Sequence, residues 1–263
     1  MFRGNRVLLA CIYWAFVLYV FVPLILMVVM GFKDSKFIGF PVRNWTLDWY
    51  KRVFADAEIL STFGYSVSIA LLATLISLLM GTWIAVLLEG RKFWGRAAMF
   101  GLTIMPALVP GIISAIAFRI YARALGIEPG MGAIVWAHSV HTVPFVTLVV
   151  MARLSTLPKS QIEAARDLGA DGFVAFLRIT LPYLVPSLIG ASIFCLLISF
   201  DDFVRSFFLG GYDPTLPVLI FAKLRSGMSP EINAIATVAL VLTAAIGIWA
   251  ERFTRRLKRE SEA

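Results

Sequence analysis

Charge is scarce in this chain. Only 15% of its residues are Asp, Glu, Lys or Arg, where a soluble domain carries roughly a quarter. Cysteine is scarcer still: Cys11 and Cys195 both sit inside apolar runs, which leaves neither a disulfide framework nor a metal-ligand spacing and makes both small hydrophobes. The two histidines, His138 and His141, lie three positions apart on neighbouring faces of one helix. No further ligands lie near them in sequence, so no metal site is expected, and packing or helix–helix hydrogen bonding is the expected role. A phosphate-binding loop needs G-x4-G-K-[ST]. The nearest approach, Gly90 to Gly95 followed by Arg96 and Ala97, lacks both the lysine and the hydroxyl. ATP hydrolysis by this chain is not expected.

What fills the space is apolar. Hydrophobic residues make up 60% of the chain, the mean hydropathy is +0.85, and the apolar residues come in runs too long for a water-soluble core. Crossing about 30 Å of hydrocarbon takes about 20 such residues. Six stretches qualify: Leu8–Met30, Ser66–Leu88, Leu102–Tyr121, Ala133–Met151, Leu184–Phe200 and Asn233–Ala250. The expected fold is therefore all-α, a bundle of six transmembrane helices forming one domain over residues 1–263. Prolines at 23, 106, 110, 144 and 186 predict kinks, and Gly111, Ser114 and Ala115 allow close helix approach. Arg3 and Arg6 precede a first run too long for a signal peptide, so it reads as a retained span.

The formal charge of +8 would suggest nucleic acid in a soluble protein, but in a membrane protein it reflects Lys and Arg kept on cytoplasmic loops, and no nucleic-acid partner is expected. With a cytoplasmic N-terminus, the inside segments carry 14 of the 24 Lys and Arg residues, most densely in the tail Arg252–Arg259. Six spans with both ends inside is the simplest arrangement. The first outside loop, Gly31–Leu60, holds Phe37, Phe40, Trp45, Trp49 and Tyr50, suited to an interface. Pro217–Met228 reads as a short outer helix.

The inside loop from Ala152 to Tyr183 is long for a connection. Ser160 and Glu163 have capping-box spacing, predicting a helix start near Gln161. Gly169 suits a left-handed C-cap, and Asp171 can cap a second short helix. Phe173, Phe176 and Leu177 then fall on one face. Pro182 marks the entry into the fifth span. A helix–glycine–helix with an apolar face and no core of its own needs a partner protein.

These residues carry a resemblance. Glu163-Ala164-Ala165, three residues, Gly169, nine residues, then Ile179, Thr180, Leu181 and Pro182 resemble the EAA loop of permease subunits of binding-protein-dependent ABC importers. The resemblance implies a type I, MetI-like permease fold with a coupling loop at 152–182. It implies that Glu163 and Gly169 shape the loop while Ala170, Asp171 and the residues to Arg178 dock on an ATPase subunit. Phe173 and Phe176 are the hydrophobic anchors chosen here from their position on the helix face. The implied partners are two ATPases that bind ATP and magnesium, a second permease (non-identical, by the branch resemblance described next), a periplasmic or extracellular substrate-binding protein and the lipid of a bacterial inner membrane.

A second resemblance covers more of the chain. Ser199-Phe200-Asp201-Asp202-Phe203, Leu216-Pro217, and Ser229 through Thr237 (SPEINAIAT) look like the spermidine/putrescine permease branch, which implies a polyamine cargo. Related branches carry ferric ion, thiamine, phosphonates and amino-acid or opine-type compounds. Charges deep in a bilayer are costly and face a cavity or a partner. Arg205 stands four residues from Asp201 and three from Asp202, so either carboxylate could pair with it on a helix. The other would remain as a surplus anion in the substrate pathway, or both would simply cap the span. An ion-coupled secondary transporter would need ionisable residues near the midplane and paired repeats, and these spans are nearly free of charge. An intramembrane enzyme would need a nucleophile with its base, for which His138 beside Ser139 has no supporting motif.

Overall fold

The computed structural model describes residues 3–35, 39, 41–90, 93–227 and 229–262. Phe37, Phe40, Arg91 and Lys92 lie outside the described residues. Among those described there is no strand, only an isolated bridge between Lys33 and Trp45. The helices are α1 (Arg3–Gly31), α2 (Asp48–Ala55), α3 (Ala57–Gly90), α4 (Arg96–Leu108), α5 (Gly111–Ala124), α6 (Met131–Leu154), α7 (Lys159–Asp167) and α8 (Gly172–Ala175). A π-helical turn over Phe176–Thr180 follows, then α9 (Leu181–Asp201), α10 (Phe203–Leu209), α11 (Leu216–Ser226) and α12 (Pro230–Glu262).

Among the described residues, five helical stretches are long and apolar enough to cross a membrane: Arg6–Gly31, Ala57–Gly90, Met131–Leu154, Gly172–Asp201 and Pro230–Phe253. The third apolar stretch of the sequence is different. It is two helices, α4 and α5, meeting at 109°, and it becomes a sixth span only if the bent pair counts as one. The kinked span expected over Leu102–Tyr121 is therefore broken outright at the second of its prolines. Pro110 disfavours helical geometry at the residue before it, and Val109 is extended, at φ −76° and ψ 129°. Each half has 13 or 14 residues, about 20 Å of helix, too short to cross alone.

The chain divides into two compact units, Met1–Ser61 with Leu219–Leu242, and Thr62–Val218 with Thr243–Ala263. In the first, Trp49 is one of the aromatic residues suited to an interface. It is buried, its indole N–H donating to the Lys33 carbonyl at 2.9 Å, because the turn of backbone joined by the Lys33–Trp45 bridge offers that carbonyl. Trp45 stays exposed. Lys223 on α11 pairs with Glu231 on α12 at 3.0 Å. The α1 side chains from Val7 to Leu26 are almost all exposed, surface that lipid tails cover without penalty.

The second unit is organised by α6, most of which is buried. Ala133, Ile134 and Ala137 of α6 pack with Ile69 and Ala73 of α3, Ala122 of α5 and Leu209 of α10. Further along, Val146 and Val150 meet Ala85 of α3 and Leu184, Ala191 and Cys195 of α9. Small residues let the backbones come close, as membrane interfaces favour. Hydroxyls tie the same seam: Ser77 of α3 shares a hydrogen bond with Thr142 of α6 at 2.6 Å and donates to its own Ala73 carbonyl. The closest approach is at Gly81, where an added Cβ would stand 2.6 Å from the Val146 Cβ. Gly81→Val is expected to destabilise the α3–α6 seam by about 1–3 kcal/mol, read as a lower unfolding temperature of the purified chain in detergent. Gly101→Ala, where a Cβ meets nothing within 4 Å, should be neutral or stabilising in the same assay.

Candidate functional site

Two groups of residues merit a chemical reading, one at each end of α9. At its start is the loop from Ala152 to Tyr183. Helix α7 begins at Lys159 after Pro158, and no side chain caps its N-terminus, so the capping box anticipated between Ser160 and Glu163 is not formed. With Pro158 as the capping residue, Ser160 falls inside the first turn rather than before it. The other end follows the sequence closely. Gly169 is left-handed at φ +86°. Its N–H donates to the Arg166 carbonyl at 2.9 Å and the Ala170 N–H to the Ala165 carbonyl at 3.0 Å, the paired bonds of a Schellman stop. A Cβ on Gly169 would meet nothing within 4 Å, so backbone conformation alone calls for glycine there.

Asp171 caps α8, its carboxylate accepting from the Val174 N–H at 2.7 Å. The second short helix is not a separate element. From Gly172 the chain runs through the π turn into α9 without a break, a single 30-residue helical stretch to Asp201, about 45 Å long at 1.5 Å per residue. Phe173 is 64% exposed and Phe176 half-buried. Both line an apolar groove of about 500 Å³ with Leu78, Trp83 and Val86 of α3 and Leu188 of α9. Glu163 and Ala164 lie exposed on α7, with Ala165 less so. Ile179, Leu181 and Pro182 form the join of the π turn and α9.

At the far end of the same stretch are Asp201 and Asp202. Helix α9 ends at Asp201, and Asp202 is extended, at φ −73° and ψ 90°. Out of the helix, Asp202 serves as N-cap of α10, accepting from the Arg205 N–H at 3.0 Å. It also takes the Arg205 guanidinium at 2.6 Å, with side-chain exposures of 7% and 6%. The i+3 partner is thus the one used, and Asp201 is left exposed. A second Arg205 nitrogen donates to Ser114 of α5 at 3.2 Å. Buried His138 of α6 shares hydrogen bonds with Ser199 of α9 at 2.8 Å and Ser206 of α10 at 3.3 Å. It stands 3.9 Å from the Asp202 carboxylate. One polar cluster therefore joins α5, α6, α9 and α10.

Ser206 and Ser114 were not legible as members of this cluster, since neither belongs to a motif. The signal in sequence was weaker: a serine or histidine inside an apolar run needs a polar neighbour. Removing one partner of a buried ion pair leaves the other uncompensated. Asp202→Ala is therefore expected to cost about 3 kcal/mol of stability, measured as a fall in unfolding temperature and in monodisperse yield. Asp201→Asn should leave both within error of wild type.

Residues 77–261 match the family model described as binding-protein-dependent transport system inner membrane component. The chain is 29% identical to the spermidine/putrescine transport system permease protein PotC of Haemophilus influenzae, over 90% of this chain and 93% of that protein. It is 32% identical to the putrescine transport system permease protein PotI of Escherichia coli strain K12, over 92% of this chain and 89% of that one. Among solved structures, a chain of a bacterial ABC transporter involved in the import of the acidic polysaccharide alginate superposes with TM-score 0.76 at 16% identity, covering 96% of both chains. A chain of the MetNI methionine ABC transporter superposes with TM-score 0.62 at 19% identity, covering 73% of this chain and 92% of that one. The fold is that of type I ABC importer permeases, and the chain belongs to the family of binding-protein-dependent transport system inner membrane components.

Proposed function

We propose that this permease subunit moves a polyamine, spermidine or putrescine, across the cytoplasmic membrane by alternating access, driven by ATP hydrolysed in partner subunits. The observation that carries the cargo is at the far end of α9: Arg205 is committed to Asp202, and Asp201 remains an exposed carboxylate. A cationic cargo matches an anion left over at the end of a span, and relatives named for spermidine and putrescine transport support the same choice.

In this reading the loop at 152–182 faces the cytoplasm with both termini. Ala170 to Arg178, with Phe173 and Phe176 as anchors, docks on one of two ATPases, which bind the ATP and magnesium. A second, non-identical permease completes the pore, and a substrate-binding protein delivers the cargo from the other side. Closure of the ATPases moves the loop, and the continuous Gly172–Asp201 stretch carries that displacement toward the carboxylate. Glu163 and Gly169 set the loop's shape. Orientation has a direct check through Leu168, which is 89% exposed. After Cys11→Ser removes the exposed native thiol, Leu168→Cys should react with a membrane-impermeant maleimide in inverted vesicles and not in intact cells.

The function itself is tested by ATP hydrolysis of the complete reconstituted transporter, its binding protein loaded in turn with putrescine, spermidine, an amino acid, ferric ion and a phosphonate. Stimulation by a polyamine alone is the expected result; stimulation by another cargo alone overturns the polyamine reading. Asp201→Asn should then raise the polyamine concentration needed for half-maximal transport about two- to fivefold, the size of a solvent-exposed charge pair. Phe173→Ala should weaken ATPase association about thirtyfold, as loss of an aromatic anchor at an interface does, with the unfolding temperature unchanged.

A further inference from the structure

A loop that takes a stroke can dissipate it at its base. The Ala152–Tyr183 loop leaves the end of α6 and rejoins the helical stretch that becomes α9, and the joining turn is short of backbone hydrogen bonds. Pro182 and Pro186 each lack the N–H that a helix interior supplies. Immediately before them the chain is π-helical over Phe176–Thr180, a rare geometry that is frequent at functional sites. Bending is easiest here, between the exposed Phe173 and the rest of α9.

A brace crosses from α6 at this point. The guanidinium of Arg153, in the last turn of α6, lies 3.9 Å over the ring centroid of Tyr183, which stands between the two prolines. Its Nε also donates to the Tyr183 carbonyl at 3.3 Å. The Tyr183 hydroxyl shares a hydrogen bond with Thr156 at 3.0 Å, and Thr156 Oγ1 donates back to the Arg153 carbonyl at 2.8 Å. One arginine thus holds both the backbone and the ring of a residue thirty positions away, and a hydroxyl closes the circuit. Just beyond the brace, Val150 and Leu184 are fully buried in one apolar cluster, so polar closure continues an apolar seam.

We infer that Arg153 and Tyr183 are a positioning pair that locks the base of the coupling loop, so that α6 and the Gly172–Asp201 stretch take the stroke as one body. The inference rests on the coupling reading of the loop. Planarity matters: a guanidinium stacks on a ring and donates sideways at once, whereas a lysine ammonium is a compact, strongly hydrated charge. Tyr183→Phe retains the ring and the carbonyl and loses only the hydroxyl bond.

The test uses the whole transporter, with ATPases, second permease and binding protein, in proteoliposomes. Radiolabelled putrescine moved per ATP hydrolysed is compared for Arg153→Gln, Tyr183→Leu, the double variant and Tyr183→Phe. Each single variant is expected to hydrolyse ATP with its ATPases bound, yet deliver about three- to tenfold less cargo per ATP, the range of mutations along a coupling element. The double variant should lose no more than the worse single, as for two halves of one unit, and Tyr183→Phe should stay within about twofold. Wild-type ratios in both singles, or losses that multiply in the double, overturn the positioning role and leave the coupling reading intact. A cargo-independent measurement covers variants that transport nothing. Nitroxides at exposed Leu168 and Leu148 should keep one narrow separation in wild type with and without MgATP and vanadate, and split into two in Arg153→Gln. An unsplit distribution in that variant also overturns the inference. Phe173→Ala leaving ATPase association untouched would instead remove the coupling reading, and this inference with it.

Discussion

Helix α6 is the constraint on which the second unit of this chain depends. A backbone or hydroxyl group within hydrocarbon has no water to turn to, so polar atoms on an intramembrane helix must find protein. Three polar side chains of α6 do so in order along its length: His138 with Ser199 and Ser206, Thr142 with Ser77, Thr147 with its own Val143 carbonyl. Between them Ala133, Ala137, Val146 and Val150 set the distance at which α3 and α9 pack. Hydrophobic transfer gives no preference for one apolar neighbour over lipid. Close packing against small residues and these few hydrogen bonds therefore specify which helices are neighbours.

The helical stretch from Gly172 to Asp201 inherits its role from that packing. Its middle is fixed by Leu184, Ala191 and Cys195 against α6, while both of its ends carry exposed chemistry: an aromatic side chain at Phe173 and a carboxylate at Asp201. In the proposed coupling, a rod packed against α6 carries displacement from one end to the other, provided it does not bend where its hydrogen bonds are fewest. The prolines at 182 and 186 place that weak point beside the loop, and the contacts of α6 with Tyr183 lie at the same level. Stability and the proposed transmission thus draw on one set of contacts.

Much of this was legible in the residues, and the reasons are local. Long apolar runs announced the spans because their length has no soluble use. Gly169 announced a left-handed stop, and Asp171 a cap, because both motifs need only a few neighbouring residues. Features that depend on distant partners were not legible. The aromatic character of Trp49 did not show that its N–H goes to a carbonyl sixteen positions earlier. The choice of Asp202 over Asp201 as the partner of Arg205 turned on the helix ending after Asp201. At i+3 and i+4 on a continuous helix the two carboxylates are equivalent, and hydropathy does not sense where the last turn unwinds. Pro110 marked a bend, but the size of that bend depends on what α5 packs against.

The bend and the buried charge belong together. Breaking a helix inside an apolar layer frees backbone groups that something must satisfy, and α5 begins with its first amides bare. Here the Ser114 N–H returns to the Pro110 carbonyl at 3.0 Å. Its hydroxyl donates to the Gly111 carbonyl at 2.8 Å and accepts from Arg205. Arg205 in turn holds Asp202, whose other oxygen caps α10. A chain of bonds therefore runs from the broken span through one serine and one ion pair to a short helix, with α9 ending beside it. Two interruptions, after Leu108 and after Asp201, thus lie along one Ser114–Arg205–Asp202 chain, which ties α5 to the cap of α10. The carboxylate outside that chain is then the one free of structural duty, which is why the charge most available to a cation in this cluster is Asp201 rather than its neighbour.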